Sequence, residues 1–280
     1  MSNTNQSRLI VLAAVFGIVA VASAEPPHAS STAAHAPAGH GGAPHWTYSG
    51  EGGPEEWGRL ASDFATCAVG HHQSPIDLAA AAPAAAGALR TEFPAATLAI
   101  ASAAHLGEAV HNGHTIQVDF PKGDTLSIGG VPFELAQFHF HAPSEHTVAG
   151  QHFPVEIHFV HKSAAGKLAV IGVLVKEGAA NSAFASIESA LPKSAGGKAR
   201  LDKVALGVGA LLPTNHALER YAGSLTTPPC SEQVSWFVLT TPIELSAAQI
   251  ATLSAALTAN SRPVQPVNGR DVVSDELTVH

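Results

Sequence analysis

Charge is scarce in this chain. Asp, Glu, Lys and Arg make up 13% of its 280 residues, about half of the ~25% usual in globular proteins. What charge there is leans acidic, with 14 Lys and Arg against 22 Asp and Glu and a net charge of −8. That excludes a broad basic footprint for nucleic acid. No H-E-x-x-H occurs, so a metalloprotease of that type is excluded as well. No internal repeat appears at solenoid spacing, and no second core-sized segment follows the first. The hydrophobic fraction of 46% is swollen by alanine but suffices for one large core.

Long apolar runs are also rare. The clearest, "LIVLAAVFGIVAVASA" (9–24), follows the single charge of Arg8 and ends in Ala22-Ser23-Ala24. It falls short of the ~20 residues needed to span a bilayer. A charged start, an apolar middle and an A-x-A end define a signal peptide over residues 1–24. The expectation is therefore a periplasmic or secreted protein, with no membrane attachment after cleavage and a mature net charge of −9. Only two cysteines are present, Cys67 and Cys230. In an oxidising compartment such a pair is expected to be bridged. Residues 25–44, "EPPHASSTAAHAPAGHGGAP", are too poor in periodic apolar positions to fold. They are expected to form a disordered linker in which His28, His35 and His40 are solvated. The Ala/Pro run 79–88 is expected to be a surface loop.

From His45 onward short strand signals dominate: "HTIQVDF", "TLSIGG", "FELAQFHFH", "PVEIHFVH", "KLAVIGVLVK" and "VSWFVLTTPI". Helices are few. One opens on Asn181, and another starts at Ser246 with Gln249 three residues on, a capping box, with Pro263 beyond its end. The expected fold is mixed α+β and β-dominated. Residues 45–280 form a single domain around a large central, mostly antiparallel twisted sheet of about ten strands, with a few peripheral helices.

The stretch "QFHFHAPSEH" (137–146) carries the chemistry. On a strand, alternate residues share a face, so Gln137, His139 and His141 point one way while Phe138 and Phe140 enter the core. In "VEIHFVH" (155–161), Glu156, His158 and Val160 share a face. The twelve residues between can join the two as antiparallel neighbours. His139, His141 and His158 then converge, and three neutral imidazoles suit tetrahedral Zn²⁺ with one open position. Gln137 and Glu156, each two residues before a ligand, are placed to hold the ligands' other ring nitrogens. His146, His152 and His161 are off that face and read as structural or exposed.

These residues resemble the α-class carbonic anhydrases, especially exported bacterial members. The resemblance spans roughly residues 45–280 and rests on several motifs in order: "HWTY" (45–48), "QSPIDL" (73–78), "HNGHTIQV" (111–118), "QFHFHAPSEH", "VEIHFVH", "LAVIGVLV" (168–175), "GSLTTPPC" (223–230) and "NSRPVQP" (260–266). It implies reversible hydration of CO₂ to bicarbonate and a proton, with a zinc-bound hydroxide as nucleophile. It implies that Thr226 orients that nucleophile and donates to an ionised Glu145, and that Thr227 contacts bicarbonate or the deep water. Val160, Val170, Leu225, Val234 and Trp236 would line the CO₂ pocket. His114 would carry the proton outward, with Tyr48, Asn112 and Gln117 holding the connecting waters. His111 stands where an asparagine is common, either a second relay or a neighbour that perturbs His114, and His45 is a further auxiliary. A Cys67–Cys230 bridge would pin the loop bearing Thr226. Sulfonamides and anions are the expected inhibitors, and the protein is expected to be a monomer or a homodimer.

Two other readings compete. An exported zinc-storage protein would need the ligands but neither a Thr226–Glu145 pair nor a shuttle. A non-catalytic family relative would typically have lost a zinc histidine, and all three are present here.

Overall fold

The structure is a computed structural model that describes residues 44–78, 96–99, 104–120, 124–201 and 203–280. The proposed signal peptide, nearly all of the linker and the 79–88 segment lie outside the described residues.

A twelve-stranded sheet organises the chain. Its main path runs, in spatial order, through strands Lys198–Arg200, Glu108–His111, Ile116–Asp119, Val131–His141, Val155–Ser163, Leu168–Glu177, Glu232–Leu245, Ala217–Ser224 and Val273–Glu276. Strands Ala96–Ala99, Thr125–Ile128 and Thr278–Val279 complete it off this path. All six segments read as strands from sequence are strands, and the sheet exceeds the expected ten because short, pattern-poor strands such as Glu108–His111 join its edges. Most pairs are antiparallel. The exceptions are Leu168–Glu177 against Glu232–Leu245, and Ala96–Ala99 against Thr278–Val279. The first of these needs a long crossover, and residues 178–231 supply it, including the helix Ser182–Glu188.

Burial explains why the central strands read as continuous apolar runs. In Leu168–Glu177, Ile171 and Val173 belong to the main core, while Val170 and Leu174 belong to a second cluster with Tyr221, Val234 and Trp236. Both faces of the sheet are covered there, as expected of a central, partly parallel strand. Phe138, Phe140 and Phe159 fill the main core at 0% exposure, as the alternation predicts.

Both helix caps read from sequence are present. The Asn181 side chain accepts from the Phe184 amide, and Ser246 and Gln249 form a reciprocal capping box on helix Ala247–Leu257. A disulfide joins Cys67 to Cys230 with Cα atoms 5.0 Å apart, packed in a small cluster with Trp57 and Phe64. Among the described residues no helix is long and apolar enough to cross a membrane.

Candidate metal centre and active site

Cross-strand register builds the centre. His139 lies directly opposite His158, Gln137 opposite Val160, and His141 opposite Glu156. A bulge between Leu135 and Gln137 shifts the ladder just before the ligands. The face continues through Gly172, opposite His158 on the next strand. A Cβ at Gly172 would stand 3.0 Å from Glu156 Oε1, so a glycine keeps room for that carboxylate.

Ring centroids of the three histidines are 5.1 Å (139–141), 5.2 Å (139–158) and 4.6 Å (141–158) apart. One ring nitrogen from each lies within 4.8 Å of the others. The remaining nitrogens are all occupied. His139 Nδ1 donates to Gln137 Oε1 at 2.9 Å, His141 Nδ1 to the Asn260 carbonyl at 2.8 Å, and His158 Nε2 to Glu156 Oε1 at 2.8 Å. These acceptors fix the tautomers. They leave Nε2 of His139, Nε2 of His141 and Nδ1 of His158 as lone pairs. His141 Nε2 is buried with no hydrogen-bond partner, a costly state that a bound cation relieves. Burial, joined by the neighbouring rings at His139, pushes the pKa of all three down, to about 4 for His141, which keeps them neutral. Three neutral nitrogen donors with fixed orientation fit a Zn²⁺-type ion.

Glu156 is saturated. Oε1 accepts from His158 and from His146 Nδ1 at 2.7 Å, and Oε2 accepts the amides of Glu145 and His146. Burial pushes its pKa up, but the charge and hydrogen bonds of the His146 and His158 side chains outweigh that and hold it well below the usual carboxylate value. Since His146 Nδ1 donates to the carboxylate, its Nε2 accepts from Tyr221 Oη at 2.7 Å, and Tyr221 in turn meets Ser74 Oγ at 2.9 Å. His146, which the sequence pattern left as structural or exposed, is thus structural and fully buried. Gly223 makes this chain possible, since a Cβ there would stand 2.2 Å from Ser74 Oγ.

Glu145 faces the triad, its Oε2 lying 3.5 Å from His141 Nε2 and 3.9 Å from His158 Nδ1. Oε1 accepts the Arg262 amide at 2.9 Å, and the Thr226 hydroxyl hydrogen-bonds the carboxylate. Burial raises the pKa of Glu145 to about 7 against the opposing pull of His158, Arg262 and Thr226. When Glu145 is ionised it only accepts, so Thr226 then donates to it and keeps its own lone pairs free.

Val170, Val234 and Trp236 form one apolar cluster against which Val160 and Leu225 pack, and Trp236 lies edge-on to His158 at 4.9 Å. Thr226 is buried and Thr227 half-buried, and the Thr227 carbonyl accepts the Cys230 amide at 2.8 Å. The disulfide therefore anchors the Thr226 loop.

His114 sits apart. Its ring stacks on Trp46 at 3.6 Å and 8°, with His45 at 6.3 Å and Tyr48 at 6.5 Å. Partial burial, then His45, lowers its pKa. Asn112 caps the turn by accepting the amides of His114 and Thr115. Gly113 needs its φ of +92°. Gln117, opposite His139, donates to Asp119. Tyr48 Oη is buried without a partner. In His111, Nδ1 accepts from the Gly113 amide, and Nε2 donates to the Ala256 carbonyl at 2.9 Å. Both nitrogens are committed to tying the turn to the end of helix Ala247–Leu257.

Sequence reasoning missed two residues that hold the centre together. Asn260 accepts from His141 through its carbonyl, accepts the Ala142 amide through Oδ1, and donates through Nδ2 to the carbonyls of His114 and Phe140. Arg262, buried at 2% exposure, donates to Gln73 Oε1 and to the carbonyls of Ser74 and Cys67. The only signal was their place in "NSRPVQP".

Paired strands presenting three oriented imidazoles, a buried carboxylate–threonine pair and an apolar wall define a sheet-borne site that could hold a metal ion. The eukaryotic-type carbonic anhydrase family matches residues 52–276, and the chain belongs to that family, whose reaction is the reversible hydration of carbon dioxide. The carbonic anhydrase of Pectobacterium carotovorum is 43% identical over 235 residues, 82% of this chain and 90% of that protein. An α-carbonic anhydrase of Thermovibrio ammonificans, solved with the inhibitor sulfanilamide, is 41% identical with a TM-score of 0.76, covering 83% of this chain and 100% of that one. Dioscorin dioA3 of Dioscorea japonica is 34% identical over 79% of this chain and 81% of its own length.

Proposed function

We propose that this chain is an exported zinc enzyme hydrating CO₂ to bicarbonate and a proton, with Zn²⁺ held by His139 Nε2, His141 Nε2 and His158 Nδ1. The observation that carries the reading is the pairing of Thr226 with Glu145 beside three ligands whose free nitrogens all face one centre. The ion would supply Lewis acidity that brings a water's pKa into the neutral range, behaviour for which carbonic anhydrase is itself the standard example. Gln137, Asn260 and Glu156 fix ligand tautomers and orientation. Thr226 donates to Glu145 and accepts from the attacking water, which turns that water's lone pair toward the substrate. Val160, Val170, Leu225, Val234 and Trp236 offer uncharged CO₂ an apolar wall, and Thr227 a hydroxyl for the product. His114 carries the released proton outward along water held by Tyr48, Asn112 and Gln117, a task suited to an imidazole.

Export through residues 1–24, a linker over 25–44 and a catalytic domain over 45–280 accompany this reading, and the disulfide is consistent with an oxidising compartment. Sulfonamides and small anions would compete at the metal. A zinc-storage role is disfavoured because storage has no use for the Thr226–Glu145 pair or the apolar wall.

Stopped-flow CO₂ hydration tests the reading. Zinc-loaded protein should turn over, chelator-treated protein should not, and Thr226→Ala should lose about 100-fold in kcat/KM while keeping its zinc. Equal rates with and without metal would refute it.

A further inference from the structure

Two Asn-Gly pairs occur in the chain, Asn112-Gly113 and Asn268-Gly269. Both are exposed, both glycines have positive φ, +92° and +72°, and a Cβ added at either would meet nothing within 4 Å. An asparagine before a glycine can close into a five-membered imide, because the glycine nitrogen, with no side chain beside it, can attack the asparagine's side-chain carbonyl carbon. The two pairs differ in what surrounds the reacting atoms.

At Asn112, Oδ1 accepts the amides of His114 and Thr115, each at 2.9 Å. Two N–H groups on one carbonyl oxygen draw electrons from its carbon. They also hold the negative charge that an attack places on the oxygen, as an oxyanion hole does. The attacking atom is the Gly113 nitrogen, and its N–H already donates to an imidazole, His111 Nδ1, at 3.2 Å. His111 Nε2 donates to the Ala256 carbonyl at 2.9 Å, which keeps the ring's own proton on the far side and leaves Nδ1 with a lone pair. Consecutive residues 111 to 115 thus supply an oriented base, an electrophile, a nucleophile and a pair of oxyanion donors, the arrangement that activates a nucleophile in covalent catalysis. Asn268 has none of it. Its Nδ2 donates to the His71 carbonyl at 2.9 Å, and among the described residues no amide meets its Oδ1 and no imidazole meets the Gly269 amide.

We propose that Asn112 is a self-modifying position, deamidated through an imide with His111 as general base. The Gly113 N–H bond breaks toward His111 Nδ1 as the Gly113 nitrogen bonds to Asn112 Cγ. His111 then returns that proton to Asn112 Nδ2, the Cγ–Nδ2 bond breaks and ammonia leaves. Water opens the imide at Cγ to give aspartate, or at the main-chain carbonyl to give isoaspartate. Either product gains a negative charge, and nothing is oxidised or reduced. Isoaspartate also inserts a methylene into the main chain of the turn that bears His114, so the modification alters that turn as the protein ages.

The test keeps the folded, zinc-loaded protein at neutral pH for weeks. Peptide mapping that separates Asn, Asp and isoAsp forms reads both sites in one sample. Asn112 should convert about tenfold or more faster than Asn268, a modest share of what a positioned general base can contribute. In concentrated urea, where His111 is no longer held against the Gly113 amide, the two rates should converge. His111→Phe, which fills the space without a lone pair, should slow Asn112 about tenfold or more in the folded protein and leave Asn268 unchanged. If that variant does not fold, the comparison of folded and urea-treated wild type decides alone. Asn268 converting as fast as Asn112 in the folded protein, Asn112 converting faster in urea than when folded, or an Asn112 rate that survives His111→Phe each overturns the proposal.

Discussion

The three histidines on the strands and the two beside Trp46 differ in how they are held. His139 and His158 each have one nitrogen locked by an acceptor two residues earlier on the same strand, and His141 by the Asn260 carbonyl, so ring angle and tautomer are settled before any ion arrives. His114 is held by ring stacking, and among the described residues no side-chain acceptor binds its part-exposed imidazole. Metal binding rewards the first arrangement, because pre-orientation removes an ordering cost from the binding step. Proton carriage rewards the second, because a ring that must take a proton on one side and release it on the other needs free nitrogens and room to turn. Side chains of one kind thus serve two tasks according to what surrounds them.

That contrast is breakable. The largest effect is expected from His139→Ala, which should abolish stoichiometric zinc by metal analysis and with it CO₂ hydration; retained zinc would mean the fixed set is not the ligand set. Next, Glu156→Gln should weaken zinc affinity by about 10- to 100-fold, measured by competition with a chromophoric chelator, the usual scale for the groups that orient metal ligands. His114→Ala should lower kcat by about tenfold or more at low buffer and be restored by imidazole. His111→Ala should leave that imidazole response as in the wild type while lowering stability by about 1 kcal/mol in urea titration, because the part-buried Ala256 carbonyl loses its donor.

A last expected effect concerns acid. His161 is fully buried, with its pKa lowered to about 4 by burial, against about 6.5 in an unfolded chain. Between those values the unfolded state binds more protons, so stability falls as pH drops from 6.5 toward 4, by about 2 kcal/mol at pH 5. Urea midpoints at pH 7 and pH 5 should move less in His161→Leu than in the wild type.

How much of this was readable before the fold was seen depends on how local the interaction is. Gln137, His139, His141, Glu156 and His158 follow from strand alternation, since each partner lies two residues from its ligand. The capping box at Ser246 is equally local. Arg262 and Asn260 are not, because their contacts reach back 188 residues to Ser74 and 119 to His141, and no periodicity records such distances. His146 was misjudged in degree for the same reason. It follows the strand and sits in a short loop, but Glu156 and Tyr221 enclose it from two other strands. The parallel pairing of Leu168–Glu177 with Glu232–Leu245 was equally hidden, since a sheet neighbour more than 50 residues downstream leaves no local mark.

The buried guanidinium of Arg262 has one further consequence. Its fork grips Cys67, Gln73 and Ser74 near the start of the domain, while its own amide holds Glu145 in the middle. Material from both extremities of the domain is thereby tied to a single carboxylate, and neither flank can be trimmed into these segments without loosening it. Anyone shortening this protein, or grafting it onto a partner, should leave both ends intact and cut instead in outlying turns such as Ala164–Gly166.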